Sequence, residues 1–161
     1  MEAICRAVIA LVKEFDDIEF TIPVHPSPTV RGTFEVLRAA HDRIRLLPPL
    51  TYERLVVEMA RSHLIVTDSG GIQEEAPSFG KPVLVTRDTT ERPEAMELGL
   101  ARLVGTDERR LFAEMTALLD DRAAYSRMSR VENPYGDGRA SRRIAGRLII
   151  AGAGDRPPKA G

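Results

Sequence analysis

The residues whose types and spacing suggest chemistry begin with the segment 67–71, which reads Thr-Asp-Ser-Gly-Gly. It follows an apolar run, 64–66, typical of a buried β-strand, and it precedes a helix predicted to begin at about Ile72. Adjacent glycines permit positive φ and a close approach of a ligand to the backbone. The free N–H groups of a helix start bind anions, and the Ser69 hydroxyl can donate to a phosphate oxygen. The pattern therefore predicts a phosphate-binding turn.

Two carboxylates, Glu74 and Glu75, are expected in the first turn of that helix. The simpler interpretation is that they stabilise the helix start by opposing the positive end of its dipole. A carboxylate below a phosphate site can also accept hydrogen bonds from ribose hydroxyls, as the acidic residue of dinucleotide-binding folds does. Glu75 is the candidate for that second role. The residues alone do not identify the nucleotide.

The elements that must position this turn alternate between strands and helices. Apolar runs predict strands at 18–24, 44–47, 64–66, 82–85 and 101–104. Apolar residues at helical spacing, with turn and cap residues between them, predict helices near 4–12, 30–40, 52–63, 107–119, 122–130 and 139–150. Continuous apolar strands alternating with helices indicate an α/β fold, with a Rossmann-like parallel sheet flanked by helices on both faces. One domain is expected over 1–150, followed by a disordered, Gly/Pro-rich tail at 151–161.

Composition narrows the class of protein. With 161 residues, 43% of them hydrophobic, the chain is long enough for one domain with an aliphatic core. A formal net charge of −1 with both signs mixed argues against nucleic-acid or anionic-membrane partners. The single Cys5 excludes an internal disulfide and a cysteine-based metal site, and a reducing cytoplasm fits it. The first residues lack the pattern of a signal peptide, and no apolar run is long enough to span a membrane.

Longer segments resemble a known family. The run TDSGGIQEEAPSFGKPVLVTRDTTERPEA is similar to the signature of the non-hydrolysing UDP-N-acetylglucosamine 2-epimerases. The segments PVHPSPTVR, VGTD and NPYGDG also resemble that family, in the same order and spacing. The match extends from about Glu2 to Leu148. It implies the C-terminal, nucleotide-binding half of a fold with two Rossmann-like domains, like that of the GT-B glycosyltransferases.

The resemblance also implies a reaction and a set of binding residues. The family interconverts UDP-GlcNAc and UDP-ManNAc, for cell-envelope polysaccharide synthesis, by eliminating UDP and adding it back on the other face of the sugar. Ser69, Gly70 and Gly71 would hold the diphosphate, Glu75 the ribose, and Arg92 would contact the UDP. An arginine there suits a departing anion, although an ion pair with a neighbouring glutamate is the simpler interpretation of Arg92. The resemblance implies no NAD or other cofactor, no metal, and a family that is commonly homodimeric.

Three further positions follow from the resemblance. His25 matches a histidine that lies near a second, regulatory UDP-GlcNAc in some bacterial members, although a histidine at a strand end is more often structural. Leu50 and Leu55 stand where some members have Gln and Phe in the uracil pocket, which puts a side-chain contact at Leu50 in doubt. The segment 133–138 is turn-rich and is predicted to be structural, with a possible secondary part in closing the cleft between domains.

The catalytic residues are expected outside this sequence. The resemblance places the family's acids mainly in an N-terminal domain, and an HRRES-like motif just after the first strand of the C-terminal domain, before the helix at Glu2. That strand would be central, so its neighbours are expected to lack a hydrogen-bonding partner. We therefore expect the chain alone to be inactive as an epimerase and marginally stable.

Alternatives from other classes remain at this point. A GT-B glycosyltransferase could use a similar domain to bind its UDP-sugar donor. The chain could also be a truncated, non-catalytic remnant that binds UDP, or part of an enzyme of the hydrolysing branch that releases free ManNAc.

Overall fold

The computed structural model describes residues 1–130 and 133–154. Its strands are β1 (Phe20–Pro23), β2 (Ile44–Leu47), β3 (Ile65–Thr67), β4 (Val83–Val85) and β5 (Ala101–Leu103). Its helices are α1 (Glu2–Glu14), α2 (Pro28–Arg38), α3 (Tyr52–Arg61), α4 (Gly70–Glu75), α5 (Pro93–Glu97), α6 (Glu108–Asp120), α7 (Arg122–Met128) and α8 (Ala140–Gly154), with a 3₁₀ turn at Ala76–Phe79. The predicted α/β class is confirmed, with five parallel strands between helices in this part of the chain.

The strands form two separate parallel sheets. In the first, β1 pairs with β2 so that Phe20 lies opposite Ile44. In the second, β4 lies between β3 and β5, and Leu84 has Val66 on one side and Arg102 on the other. Within the described residues no ladder joins β1 to β3, and strands without a partner are what the family resemblance implies. The single sheet expected from the sequence is therefore divided in two.

Helix α1 holds the two sheets together from one face. Its Ala7 and Leu11 belong to a buried cluster with Leu84 of β4, against which Phe20 of β1 also packs. A second side of α1, including Val8, packs against Leu37 and Ile44 under the smaller sheet. The apolar spacing that predicted an amphipathic helix is thus explained by two contacts, one with each sheet.

The opposite face of the larger sheet supports the phosphate-binding turn. Val83 and Val85 of β4 are fully buried there in a cluster with Ala76, Ala95 and Leu100. Ile72 of α4 packs against the same cluster, as do apolar side chains of α3 and α5. Helix α4 is therefore held on this face of the larger sheet by an apolar layer.

Two helices begin at a side-chain cap. The Thr51 hydroxyl accepts from the Arg54 N–H at 3.5 Å, and the Asp107 carboxylate accepts from the Arg110 N–H at 2.8 Å. Such caps satisfy N–H groups that have no partner inside the helix. Gly80 ends the 3₁₀ turn with φ of 61°, a conformation that favours glycine.

Other boundaries differ from the expectations. Helix α5 was not predicted, because five residues are too few to show a helical period. Helix α8 continues to Gly154, four residues into the segment 151–161 expected to be disordered, and the rest of that segment lies outside the described residues. The apolar side chains of α8, such as Ile144 and Leu148, are exposed. No helix in the part of the chain that the structure describes is long and apolar enough to cross a membrane.

Candidate functional site

The site is built where β3 ends and α4 begins. Ser69 precedes the helix in an extended conformation, and its N–H donates to the Thr67 hydroxyl at 3.0 Å. Within the described residues the Ser69 hydroxyl makes no capping bond to α4. The first intrahelical bond runs from the Gln73 N–H to the Ser69 carbonyl at 3.2 Å, so the N–H groups before Gln73 have no partner inside the helix. The turn thus offers a hydroxyl and main-chain N–H groups to an anion, as predicted.

The reason for glycine at this turn differs from the expectation. Neither Gly70 nor Gly71 adopts positive φ, because α4 begins at Gly70, two residues earlier than predicted. A Cβ atom on Gly70 would instead lie 3.0 Å from Cζ and 3.1 Å from Nε of Arg92. On Gly71 a Cβ would meet only the Ser69 hydroxyl, at 3.9 Å. Gly70 is therefore required for the close approach of Arg92.

Arg92 brings a cation to the start of α4. Its Nε donates to Glu74 at 2.7 Å and its Nη1 donates to Glu91 at 3.1 Å, while 31% of the side chain stays exposed. The hydrogen bond to Glu74 is the main reason that the pKa of Arg92 is raised. The simpler interpretation of Arg92 as an ion-pair partner is correct for Glu91, and Glu74 is a further partner. The two interpretations are compatible, because the guanidinium still lies over the helix start.

The roles expected for the two helix carboxylates need correction. Because α4 begins at Gly70, Glu74 and Glu75 are its last two residues and do not lie in its first turn. They therefore do not stabilise the helix start through its dipole. Glu74 holds Arg92. Glu75 lies beside Tyr52 at the start of α3, and its carboxylate raises the pKa of the Tyr52 hydroxyl.

The contact between Glu75 and Tyr52 gives a prediction for the free protein. In Glu75→Gln the pKa of Tyr52 should fall toward its ordinary value, because the amide accepts a weaker hydrogen bond from the neutral hydroxyl and no longer repels the phenolate. Burial raises the pKa values of Tyr125 and Tyr135, and those should stay unchanged. An ultraviolet pH titration of tyrosine ionisation measures all three. Tyr52→Phe identifies the part of the titration curve that belongs to Tyr52. An unchanged curve in Glu75→Gln would contradict the contact between Glu75 and Tyr52.

Four other residues singled out from the sequence make no hydrogen bond or ion pair with Arg92 in the part of the chain that the structure describes. The Nδ1 atom of exposed His25 accepts from the Ser27 N–H at 3.2 Å, just before α2, which is a structural contact. Leu55 of α3 is half-buried and packs against the same apolar cluster as Ile72. Leu50 is also half-buried, and Asp68 is exposed directly before Ser69.

The turn-rich segment 133–138 reaches the site, and the sequence alone did not show how. The Asn133 side-chain amide donates to the Glu74 carbonyl at 3.3 Å and to the Ser78 hydroxyl at 2.6 Å. The Tyr135 hydroxyl donates to the Arg92 carbonyl at 3.2 Å. A structural role for the segment is thus correct, and it specifically connects α4 with the loop that carries Arg92. Only the similarity of the whole NPYGDG motif to the family pointed to these residues.

A metal centre is not indicated in this part of the chain. Among the described residues, 1–130 and 133–154, no three His, Cys, Asp or Glu side chains come together as metal ligands do. Cys5 is buried and its pKa is raised by burial, so it behaves as a core residue. The chemistry on offer is anion binding by N–H groups, a hydroxyl and a guanidinium.

Comparisons with known proteins agree with this geometry. The family model described as UDP-N-acetylglucosamine 2-epimerase matches residues 1–149. A probable UDP-N-acetylglucosamine 2-epimerase of Ralstonia nicotianae is 53% identical over 143 residues, which are 89% of this chain and 38% of the relative. This chain thus spans about two-fifths of the length of the curated relatives it matches.

Solved structures share the fold as well. The UDP co-structure of MnaA from S. aureus is 41% identical with a TM-score of 0.88, over 99% of this chain and 43% of that one. The UDP-GlcNAc 2-epimerase of Neisseria meningitidis, bound to UDP-GlcNAc, is 43% identical with a TM-score of 0.87, over 92% of this chain and 40% of that one. The expected resemblance is therefore confirmed over nearly the whole sequence.

Proposed function

The chain belongs to the UDP-N-acetylglucosamine 2-epimerase family, and from this premise we propose that it binds the UDP part of a nucleotide sugar at the start of α4. The observation that carries the proposal is the Arg92 guanidinium, which packs directly on Gly70 beside unpaired helix N–H groups. A cation and oriented N–H groups at one point form a favourable site for a diphosphate. The UDP and UDP-GlcNAc bound in the two related structures support the choice of nucleotide.

Each residue of the site has a proposed role. The N–H groups of Gly70 and Gly71 and the Ser69 hydroxyl bind diphosphate oxygens. The contact with Glu74 keeps the Arg92 guanidinium in place before the ligand arrives. When UDP binds, Arg92 exchanges part of that contact for the phosphates. Glu75, whose carboxylate does not hold Arg92, accepts from the ribose hydroxyls. Leu55 contributes an apolar contact to the uracil, and its half-buried position on α3 is compatible with that role.

We further propose that the protein interconverts UDP-GlcNAc and UDP-ManNAc. When the bond between sugar and UDP breaks, negative charge develops on the departing diphosphate, and Arg92 with the helix N–H groups stabilises that charge. The elimination also needs a proton acceptor and a proton donor. Glu74 is engaged with Arg92, so we assign the acid and base to residues that do not belong to this site. No cofactor takes part in the proposed reaction.

Less direct features of the protein follow from the same family membership. We propose a single UDP-sugar-binding domain over 1–150, a cytoplasmic location, and a role in cell-envelope polysaccharide synthesis. A homodimer and a regulatory nucleotide-sugar site at His25 are weaker proposals. The contact of His25 with the Ser27 N–H favours the structural role instead.

Titration calorimetry of UDP into the purified chain tests the binding site. UDP should bind and uridine should bind far more weakly, because the proposed contacts of Arg92 and the helix N–H groups are with phosphate oxygens, which uridine lacks. Arg92→Ala should weaken UDP binding by about tenfold, because it removes a charge-assisted hydrogen bond to the diphosphate. The loss is no larger because, in the parent chain, Arg92 must give up part of its hydrogen bond to Glu74 when it binds UDP.

Arg102→Ala provides the matched control for Arg92→Ala. Arg102 of β5 also pairs with a glutamate, Glu114 of α6, but it lies outside the site. Its variant should bind UDP like the parent chain. Equal UDP affinity in the parent and in Arg92→Ala would refute the proposed site.

The reaction itself is tested by following UDP-GlcNAc with proton NMR. We expect no UDP-ManNAc from the chain alone, and turnover when the N-terminal domain of a relative is supplied with it. Turnover by the chain alone would show that its own carboxylates suffice. Transfer of GlcNAc to an added acceptor would favour the glycosyltransferase alternative. Release of free ManNAc would favour an enzyme of the hydrolysing branch. UDP binding without turnover, both with and without the added domain, would favour the non-catalytic remnant.

A further inference from the structure

The main chain of Arg92 is held by side chains on both sides. Arg92 lies just before α5 with φ −126° and ψ 70°, outside the regular conformations of helix and strand. Its N–H donates to the Thr90 hydroxyl at 3.1 Å, and its carbonyl accepts from the Tyr135 hydroxyl at 3.2 Å. Both polar groups of an irregular residue are thus satisfied by hydroxyls, which fixes where its side chain starts.

The Thr90 hydroxyl is itself oriented by a buried amide. Thr90 donates to Oε1 of Gln73 at 2.7 Å, and Gln73 of α4 is fully buried. Because a hydroxyl has one proton, donating to Gln73 leaves its oxygen free to accept from the Arg92 N–H. Gln73 therefore connects α4, which carries the anion site, to the loop that carries Arg92. Its Nε2 atom has no partner among the described residues, so the amide is kept here at a cost.

The Tyr135 hydroxyl performs two tasks at the other side of Arg92. It accepts from the Ala95 N–H at 3.3 Å, one of the α5 N–H groups without a partner inside the helix, while it donates to the Arg92 carbonyl. Tyr135 is itself placed by Asn133, whose side-chain oxygen accepts from the Tyr135 N–H at 2.9 Å. Asn133 also binds the Glu74 carbonyl, so the support returns to α4.

We propose that Tyr135 and Thr90 are positioning residues for the Arg92 guanidinium. They fix its backbone so that the side chain lies on Gly70 and against Glu74, ready to contact a diphosphate. This inference rests on the proposed function, since the value of the position is the binding of UDP. Neither residue is assigned a contact with the substrate. The effect of each on binding is exerted through Arg92.

A measurement on the free chain tests the positioning directly. Hydrogen exchange of the Arg92 Nε–H, observed by NMR, reports its bond to Glu74 without any ligand. Tyr135→Phe should accelerate this exchange by about threefold to tenfold, the effect of one lost hydrogen bond. Thr90→Val should act in the same direction, and Thr90→Ser, which keeps the hydroxyl, should restore the parent rate. Unchanged exchange in Tyr135→Phe and Thr90→Val would overturn the proposal.

Tyr125→Phe is the matched control for Tyr135→Phe. The Tyr125 hydroxyl also donates to a main-chain carbonyl, that of His63 at 3.0 Å, and its ring stacks on His63. Removing it should leave both the Arg92 exchange rate and UDP affinity unchanged. A Tyr125→Phe effect as large as that of Tyr135→Phe would show a general loss of stability and would refute the specific role.

A double-mutant cycle in UDP binding separates positioning from structure. Tyr135→Phe should weaken UDP binding about threefold to tenfold in the parent chain and have no further effect in Arg92→Ala. The fall in melting temperature caused by Tyr135→Phe should persist in both backgrounds, because the Ala95 N–H and the residue-92 carbonyl remain. Equal binding losses in both backgrounds would reject positioning through Arg92. If Arg92→Ala itself leaves UDP affinity unchanged, the proposed function fails, and the exchange rate still decides whether Tyr135 positions Arg92.

Discussion

Gly70→Ala is expected to weaken UDP binding by about a hundredfold, a larger loss than that of Arg92→Ala. The added Cβ would lie 3.0 Å from Arg92 Cζ, so the guanidinium must leave its place on the helix start and give up Glu74. The methyl group would also occupy space next to the N–H groups proposed to bind the diphosphate. Both the cation and the N–H groups are therefore affected by one small substitution.

Gly70→Ala should not lower the stability of the fold, although it weakens UDP binding. Gly70 is the first residue of α4, and its φ is not positive. Alanine is favoured over glycine in a helix interior by about 1 kcal/mol, and at this position the gain is at most that. Arg92 is a flexible side chain that can swing into solvent, and the partly exposed ion pair with Glu74 that it gives up contributes at most about 1 kcal/mol, so the crowding costs little folding free energy. Calorimetry should thus show lost affinity while the melting temperature stays equal or rises. Lost affinity with a lower melting temperature would indicate a distorted helix instead.

Two other glycines provide the comparison. Gly32 of α2 is helical and an added Cβ meets nothing within 4 Å, so Gly32→Ala should keep the UDP affinity of the parent. Gly71→Ala should lose less affinity than Gly70→Ala, because its Cβ meets only Ser69 Oγ, at 3.9 Å. Combined with Arg92→Ala, Gly70→Ala should add only the smaller loss due to the methyl group. A full hundredfold loss in that background would show that crowding of Arg92 is not the cause.

Much of the fold could be predicted because its elements have local signals. The apolar runs of β2 and β4 and the starts of α3 and α6 were recognised from neighbouring residues. Helix α5 was not, because its five residues depend on burial of Ala95 and on the Tyr135 hydroxyl rather than on a period of its own. The division of the sheet was expected only from the resemblance to a family. Strand pairing is a long-range property that no local pattern reports.

The site shows the same limit. The turn at Ser69 and Gly70, which we propose to bind an anion, was visible because its residues are adjacent in the sequence. The link between Glu74 and Arg92 spans 18 residues, and that between Asn133 and Glu74 spans 59. Such contacts depend on packing of α4 against the loops after β4 and α7. The sequence therefore predicted the residues of the proposed site, and the structure supplied a different reason for glycine at position 70.

The largest expected effect on stability is at Arg43, far from this site. Its guanidinium donates to the main-chain carbonyls at the end of α1 and in the following turn, Val12 at 2.6 Å, Phe15 at 2.5 Å and Ile18 at 2.8 Å. These carbonyls lie at the negative end of the helix dipole, where a cation is favourable. Arg43 thus joins α1, which packs on both sheets, to the start of β2.

Arg43→Met should lower the free energy of unfolding by roughly 3 kcal/mol, because three charge-assisted hydrogen bonds are lost while the apolar stem is kept. Urea unfolding monitored by circular dichroism measures the change. The free energy of unfolding of Arg43→Lys should lie between those of the parent chain and Arg43→Met, since an ammonium cannot reach all three carbonyls at once. If the parent chain is as marginal as the sequence predicts, Arg43→Met should already be unfolded in buffer. A stabilising osmolyte then brings its unfolding transition into range.

Arg45→Met is the control that makes this result specific. Arg45 lies two residues along on β2, but it is exposed and contacts only side chains, the Thr21 hydroxyl at 3.1 Å and Glu19 at 3.6 Å. An exposed ion pair contributes at most about 1 kcal/mol, and added salt weakens it. Arg43→Met should therefore cost clearly more than Arg45→Met, in high salt as well as in low. Equal losses would mean that α1 is held on the sheets by apolar packing alone, without help from the guanidinium.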